Sequence, residues 1–143
     1  MKIVLAADHA GFELKEQIKK CLIGKGFELI DVGAFSSSPS DYPDFAHQLA
    51  NVIINKEADL GFSFCGSGNG INMVLNKYPE IRSALCWNEE IARLARAHND
   101  ANVCALPARF ITFETAALIT EKFLRTPFDG GRHLIRINKI PIQ

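Results

Sequence analysis

The sequence predicts a single three-layer α/β/α domain, Rossmann-like, built on a five-stranded parallel sheet and spanning residues 1–143. Three observations predict it. Short apolar runs alternate with stretches of helical spacing, as βαβ units require. The apolar runs are continuous rather than in–out alternating, which suits strands covered on both faces. A chain of 143 residues, 48% hydrophobic and 22% charged, suffices for one core.

In chain order, Lys2–Ala7 reads as the first buried strand, ended by Asp8. Phe12, Leu14, Ile18 and Leu22 follow helical spacing, and Gly24 and Gly26 stop that helix. Phe27–Val32 is the second strand, and the Ser-rich run from Gly33 to Ser40 is too short for a domain linker. Asp41 is a candidate cap for a helix with Pro43 in its first turn, and Phe45, Leu49, Val52 and Ile53 share its face. Leu60–Phe64 is the third strand, followed by a glycine loop and a short helix from Ile71 to Lys77. Arg82–Trp87 is the fourth. Asn88 then caps a helix burying Ile91, Leu94 and Ala95, and Asn102–Leu106 is the fifth strand. Thr112 caps a last long helix carrying Phe113, Ala117, Leu118 and Phe123, closed by Pro127, and a basic tail from Gly130 to Arg136 follows.

Composition excludes several functions. Zero formal net charge argues against nucleic-acid and anionic-membrane partners. The run Ile3–Ala7 meets Asp8 too soon for a signal peptide, and nothing approaches a membrane span. Cys21, Cys65, Cys86 and Cys104 are widely spaced without C-x-x-C, so neither a zinc site nor a disulfide framework follows, and a reducing cytoplasm fits. Cys21, Cys86 and Cys104 lie within elements and read as packing residues, as does Trp87.

The stretch Cys65-Gly66-Ser67-Gly68-Asn69-Gly70 carries the chemistry. Three alternating glycines let the chain turn sharply, and successive N–H groups opening onto a helix make a cradle for negative charge. A thiol on its lip is shifted toward thiolate by the helix end. Thiol, Ser67 hydroxyl and N–H cradle together suit proton transfer beside a carbonyl. A turn that merely packs a helix on its strand is the other reading. There is no Gly-Lys-Ser/Thr for a P-loop, and Ile71 stands where a dinucleotide fingerprint has its third glycine.

Ligands of open parallel sheets bind outside the carboxyl ends of the strands. Asp8 and His9 end strand one, Cys65–Gly70 end strand three and Arg109 ends strand five. His98-Asn99-Asp100 precedes strand five and so belongs to the opposite rim. Taken singly, Asp8 is a helix cap beside a bystander His9, His98 a helix-end histidine, Tyr42 a loop aromatic, and Arg132, His133 and Arg136 a solvated tail. The same three cations behind two glycines equally suit a phosphate.

Five ordered motifs carry a resemblance to a known family. Asp8-His9-Ala10-Gly11, Asp41-Tyr42-Pro43-Asp44, Cys65–Gly70, His98-Asn99-Asp100-Ala101-Asn102-Val103 and Gly130-Gly131-Arg132-His133 make the whole chain similar to type B ribose-5-phosphate isomerases. The wider superfamily includes galactose-6-phosphate and allose-6-phosphate isomerases. The resemblance implies a pentose-phosphate-pathway enzyme without cofactor or metal, interconverting ribose 5-phosphate and ribulose 5-phosphate through an enediolate. It implies Cys65 as the base between C1 and C2, since Ile71 stands where some relatives carry a glutamate instead. His98 would open the furanose ring and, with Asn99, come from the neighbouring subunit. Gly66, Ser67, Gly68, Asn69 and Gly70 would meet the enediolate oxygens, and Asp8, His9 and Tyr42 would line the sugar. His9, Arg109, Arg132 and Arg136 would surround the phosphate, with Arg109 also crossing over. The implied unit is a homodimer with shared sites, or a dimer of dimers. A six-carbon sugar phosphate and a non-catalytic sugar-phosphate sensor stand as alternatives. Pro107, where relatives commonly have glycine, bears on how Arg109 is placed.

Overall fold

A computed structural model describes residues 1–142 and has the expected architecture. Its elements are β1 (Lys2–Ala7), α1 (Phe12–Gly24), β2 (Glu28–Asp31), α2 (Tyr42–Ile54), β3 (Leu60–Cys65), α3 (Asn69–Leu75), β4 (Ser83–Leu85), α4 (Glu89–Asn99), β5 (Val103–Pro107), α5 (Phe113–Arg125) and α6 (Arg132–Ile137). The sheet is parallel throughout, in the order β2-β1-β3-β5-β4. Strand order reverses between β1 and β3, which opens a crevice at their carboxyl ends. Both strands are almost wholly buried, as their continuous apolar runs demand.

One face of the sheet is covered by Leu14, Ile18 and Leu22 of α1, Ala92 and Ala95 of α4, and Ala116, Ile119 and Phe123 of α5. The other is covered by Ala46, Leu49, Ala50 and Ile53 of α2 with Ile71 and Leu75 of α3. No helix among the described residues is long and apolar enough to cross a membrane.

Several expectations change in detail. Helix α3 begins at Asn69 rather than Ile71, because Gly68 takes φ +76° and turns the chain into the helix within the loop. Asp41 stands at the N-cap of α2 but its side chain accepts no cap bond; its carbonyl serves the Asp44 N–H instead. The caps at Asn88 and Thr112 form as expected, accepting from the N–H groups of Ile91 and Thr115. Helix α4 buries Ala92, Ala95 and Ala97, with Ile91 and Leu94 only half-buried, because small residues let it approach α5 closely. In α5 the inner stripe is Ala116, Ile119, Thr120 and Phe123, so Leu118 faces outward at 52% exposure. Trp87, read as a packing residue, is 53% exposed on the carboxyl rim. The basic tail is a helix, α6, entered through two positive-φ glycines, Gly130 and Gly131.

Helix α1 also buries a charge. Lys15 is fully buried, with both Asp31 carboxylate oxygens 2.7 Å from its ammonium, and Lys19 reaches the same carboxylate at 2.6 Å. Gly33 donates to Asp31 at 3.0 Å, which ties the following loop to the edge of β2.

Candidate active site

At the crevice, the sequence from β3 into α3 folds around one sulfur. Cys65 ends β3 and is buried, and the backbone N–H groups of Ile71, Gly68 and Ser67 point at its thiol. Ser67 Oγ accepts from the Asn69 N–H at 3.2 Å, closing the turn. Each glycine has a distinct steric reason. A Cβ on Gly68 would overlap the Leu85 side chain in addition to the positive-φ strain, and one on Gly70 would run into the Tyr42 ring. A Cβ on Gly66 would lie 3.3 Å from Nη1 of Arg109. Gly11 packs so closely on the Phe64 carbonyl that no side chain fits there, and this brings the start of α1 against the end of β3.

The thiol departs from expectation. Burial pushes the Cys65 pKa up; three N–H groups oppose that, while the Asp8 carboxylate reinforces it, and the net shift is upward. Helix α3 has seven residues, too few for its dipole to reverse the cost of burial. An upward shift makes the thiolate scarcer at neutral pH but a stronger base.

Around it stand most of the other predicted residues. Asp8 is buried and closes the turn before α1 by accepting from the Gly11 N–H at 3.0 Å; the N-cap of α1 is Gly11 and no side chain caps it, so the cap expected of Asp8 does not form. His9 is tied to Ser40 by its main-chain N–H, which donates to Ser40 Oγ at 3.0 Å, and by its Nδ1, which lies 3.0 Å from the Ser40 carbonyl and 3.2 Å from the Ser40 N–H. Tyr42 covers Gly70. Arg109 is exposed, and its N–H donates to the Gly66 carbonyl at 3.0 Å while Ala108 donates to Cys65. Pro107 pairs with Cys65 at the end of the sheet. The side on which Pro107 lacks a donor lies beyond the last pair of β4, so no ladder bond is lost and Arg109 remains braced on the glycine loop.

His98, Asn99, Arg132 and Arg136 are not brought to this crevice. The β3–β5 register runs from Gly61↔Val103 to Cys65↔Pro107. His98 lies before the amino end of that register, so about 13 Å of strand separates the two rims. The amino rim has its own framework. Asp100, at φ +44°, ends α4, and its carboxylate receives Arg82 and Arg96 at 3.0 Å each. Arg82 also donates to the carbonyls of Asn99 and Asp100. His98 stacks on His133, with ring centroids 4.1 Å apart and planes at 10°. Arg132 and Arg136 are exposed and make no ion pair among the described residues.

Sequence reasoning missed the Ile71 N–H, Ser40, the two arginines on Asp100 and the stack on His98. Ser40 and Arg82 lie 31 and 18 residues from their partners, with no spacing rule to link them.

An open parallel sheet with a thiol and a ring of N–H donors at its switch point defines an α/β protein that binds a small anionic ligand. The comparisons make this specific. The ribose/galactose isomerase family profile matches residues 3–140, and the chain belongs to that family. It is 40% identical to ribose-5-phosphate isomerase B of Escherichia coli over 139 residues, 97% of this chain and 93% of that one. The ribose 5-phosphate isomerase of Thermotoga maritima superposes with a TM-score of 0.96 at 51% identity, covering 97% of this chain and 96% of its own. The Mycoplasma genitalium ribose-5-phosphate isomerase B, solved with bound ribulose 5-phosphate, gives 0.91 at 42%, covering 97% of this chain and 93% of its own.

Proposed function

We propose that this chain is an aldose–ketose isomerase that interconverts ribose 5-phosphate and ribulose 5-phosphate. The observation that carries the reading is Cys65 ringed by N–H groups at the β1/β3 crevice, in a member of this family.

In this reading the Cys65 thiolate removes the proton on C2 of the open-chain aldose. The electron pair moves into the C1–C2 bond and the C1 carbonyl becomes an oxyanion. N–H groups of the 66–70 loop that are not engaged with the sulfur or with Ser67 Oγ meet that charge, and a donor of this kind contributes about 3–4 kcal/mol. The Cys65 thiol then returns the proton to C1, while the O2 proton passes to O1 beside the Ser67 hydroxyl, leaving the C2 ketone. Asp8, His9 and Tyr42 line the sugar, and Asn69 belongs to the cradle. His9, Arg109, Arg132 and Arg136 surround the phosphate, whose binding energy orients a sugar it does not react with. Four free cysteines fit a reducing cytoplasm.

The distance between the rims is the reason to infer a homodimer. A general acid must come within hydrogen-bond reach of its substrate. His98 and Asn99 therefore serve the crevice of a second copy, and two-fold pairing repeats the contact in reverse. Large apolar side chains lie exposed on both candidate patches: Trp87 and Phe110 on the carboxyl rim, Leu134 and Ile135 on α6. There His98 protonates the furanose ring oxygen as the C1–O4 bond breaks, and the O1 proton leaves to solvent.

Complementation tests the whole reading. Cys65→Ala and His98→Ala proteins are each expected to be inactive on ribose 5-phosphate. Mixed under conditions of subunit exchange, they should recover about a quarter of the parent activity, since about half the dimers are mixed and each has one intact site of two. Exchange without recovery would put both residues in one chain's site.

A further inference from the structure

His133 is buried beneath the outer surface of α6, and its ring lies flat on that of His98. Asp129 is close by: each of the three residues offers a ligand atom within 4.8 Å of the others. Two histidines and a carboxylate suggest a cation site, but the ring geometry argues against one. Nitrogen lone pairs lie in the ring plane, so stacked imidazoles aim theirs side by side in two parallel planes. A transition metal needs them to converge on one point about 2.0–2.1 Å from each nitrogen. Rings 4.1 Å apart at 10° cannot do that without being turned out of the stack. The contact is one between ring faces.

The surroundings of His133 favour its neutral form. Burial lowers the His133 pKa, His98 and the guanidinium groups of Arg132 and Arg136 lower it further, and Asp129 only partly offsets them. Glu90 of α4 faces His98 as well, and Arg93 faces Asp129. A neutral His133 ring presents a flat face and no repelling charge to His98. The strap before α6 is fixed to the same helix end, since the Asp129 N–H donates to the Ala97 carbonyl at 2.9 Å. An imidazole on the last turn of a helix otherwise turns freely about two torsions. Here one face is occupied.

We propose that His133 is a positioning residue for His98, a flat platform that fixes the angle at which the His98 ring enters the partner's crevice to open a furanose. The proposal rests on the role given to His98 above. A misplacement of about 1 Å at a reacting group costs on the order of 10²-fold in rate, so the contact is expected to matter for ring opening and for that step alone.

The two substrates separate that step from the rest. Ribose 5-phosphate closes a furanose through its C4 hydroxyl. Ribulose 5-phosphate cannot, because its carbonyl is at C2 and its C5 oxygen is esterified, so it stays open. Exchange of its C1 proton with solvent deuterium needs Cys65 but no ring opener. Initial rates of ribose 5-phosphate isomerisation and of deuterium entry into ribulose 5-phosphate are measured for the parent enzyme, His133→Ala, His133→Phe and His98→Ala. His133→Ala should slow isomerisation about 10- to 100-fold and leave exchange within about threefold of the parent. His133→Phe, which keeps the flat face without a nitrogen, should recover most of the isomerisation. Equal loss of both rates in His133→Ala would mean that the residue acts through folding or phosphate binding and overturns the proposal. Unchanged isomerisation in His133→Ala, or a Phe variant as slow as the Ala variant, overturns it too. Full isomerisation by His98→Ala would instead remove the ring-opening role on which the proposal stands, whatever the His133 variants do.

Discussion

The carboxyl rim holds Cys65 with main chain: three N–H groups face the sulfur, and Gly68 and Gly70 of the loop have no room for side chains. The amino rim holds His98 with side chains: Arg82 and Arg96 grip Asp100 just past it, and His133 lies against its ring. Main-chain donors are fixed by the turn and tolerate no change of backbone. A side-chain clamp is redundant, and losing one member weakens it by degrees. Substitutions at the two rims should therefore differ in size and kind.

The largest effect is expected at Gly68. Alanine there takes φ +76°, at a cost of about 1–2 kcal/mol, and overlaps Leu85. Its N–H then leaves the sulfur, and kcat on ribose 5-phosphate should fall on the order of 10²-fold, with stability lowered by chemical denaturation. Gly26→Ala is the control, since φ is +85° there with open space around it. It should cost similar stability and no activity. Equal kinetic damage from both would erase the contrast.

Arg82→Ala tests the other rim. Asp100 keeps Arg96, so isomerisation should fall only about tenfold and stability by about 1–2 kcal/mol. A loss as large as that of Gly68→Ala would show the clamp to be no more forgiving than the loop.

The smallest change is a shift along the pH axis. Asp8 pushes the Cys65 pKa up and also accepts from the Gly11 N–H in the turn before α1. Asp8→Asn keeps an oxygen for the Gly11 N–H and removes the charge, so the thiol should ionise at lower pH. Alkylation of Cys65 by iodoacetamide should then reach half its maximal rate at a lower pH than in the parent. An unmoved or higher midpoint would detach Asp8 from the thiol.

The same contrast decides what the sequence reveals. Glycine spacing marks a backbone turn, so the Cys65 loop was legible, as was the rule that places Asp8, His9 and Arg109 beside it. The rim of His98 was legible from strand order alone. Its support was not. Arg82 and Asp100 lie on different elements with ordinary compositions, and α6 is six residues long, too short for helical spacing to register. One-residue errors in the inner stripe, such as Leu118 for Ile119, arise because both are apolar and only packing against the sheet tells them apart. The thiol's pKa was misjudged for a related reason, since burial depends on the whole fold and no local motif reports it.

Lys15 follows Leu14 in α1 and is fully buried, and its ion pair with Asp31 makes the edge of the sheet respond to protons. Burial alone would raise the pKa of Asp31, but hydrogen bonds from Lys15, Lys19 and the Gly33 N–H outweigh it, and the net shift is downward. A carboxyl that is more acidic folded than unfolded adds stability at every pH above its unfolded value, near 3.9, and returns it as pH falls through the folded value. Protonating Asp31 would strip Lys15, which has no access to water, of its main counterion. The β2 edge is also where the loop leading to Ser40 and His9 is attached. Acid should therefore loosen that border of the crevice while the central strands still hold.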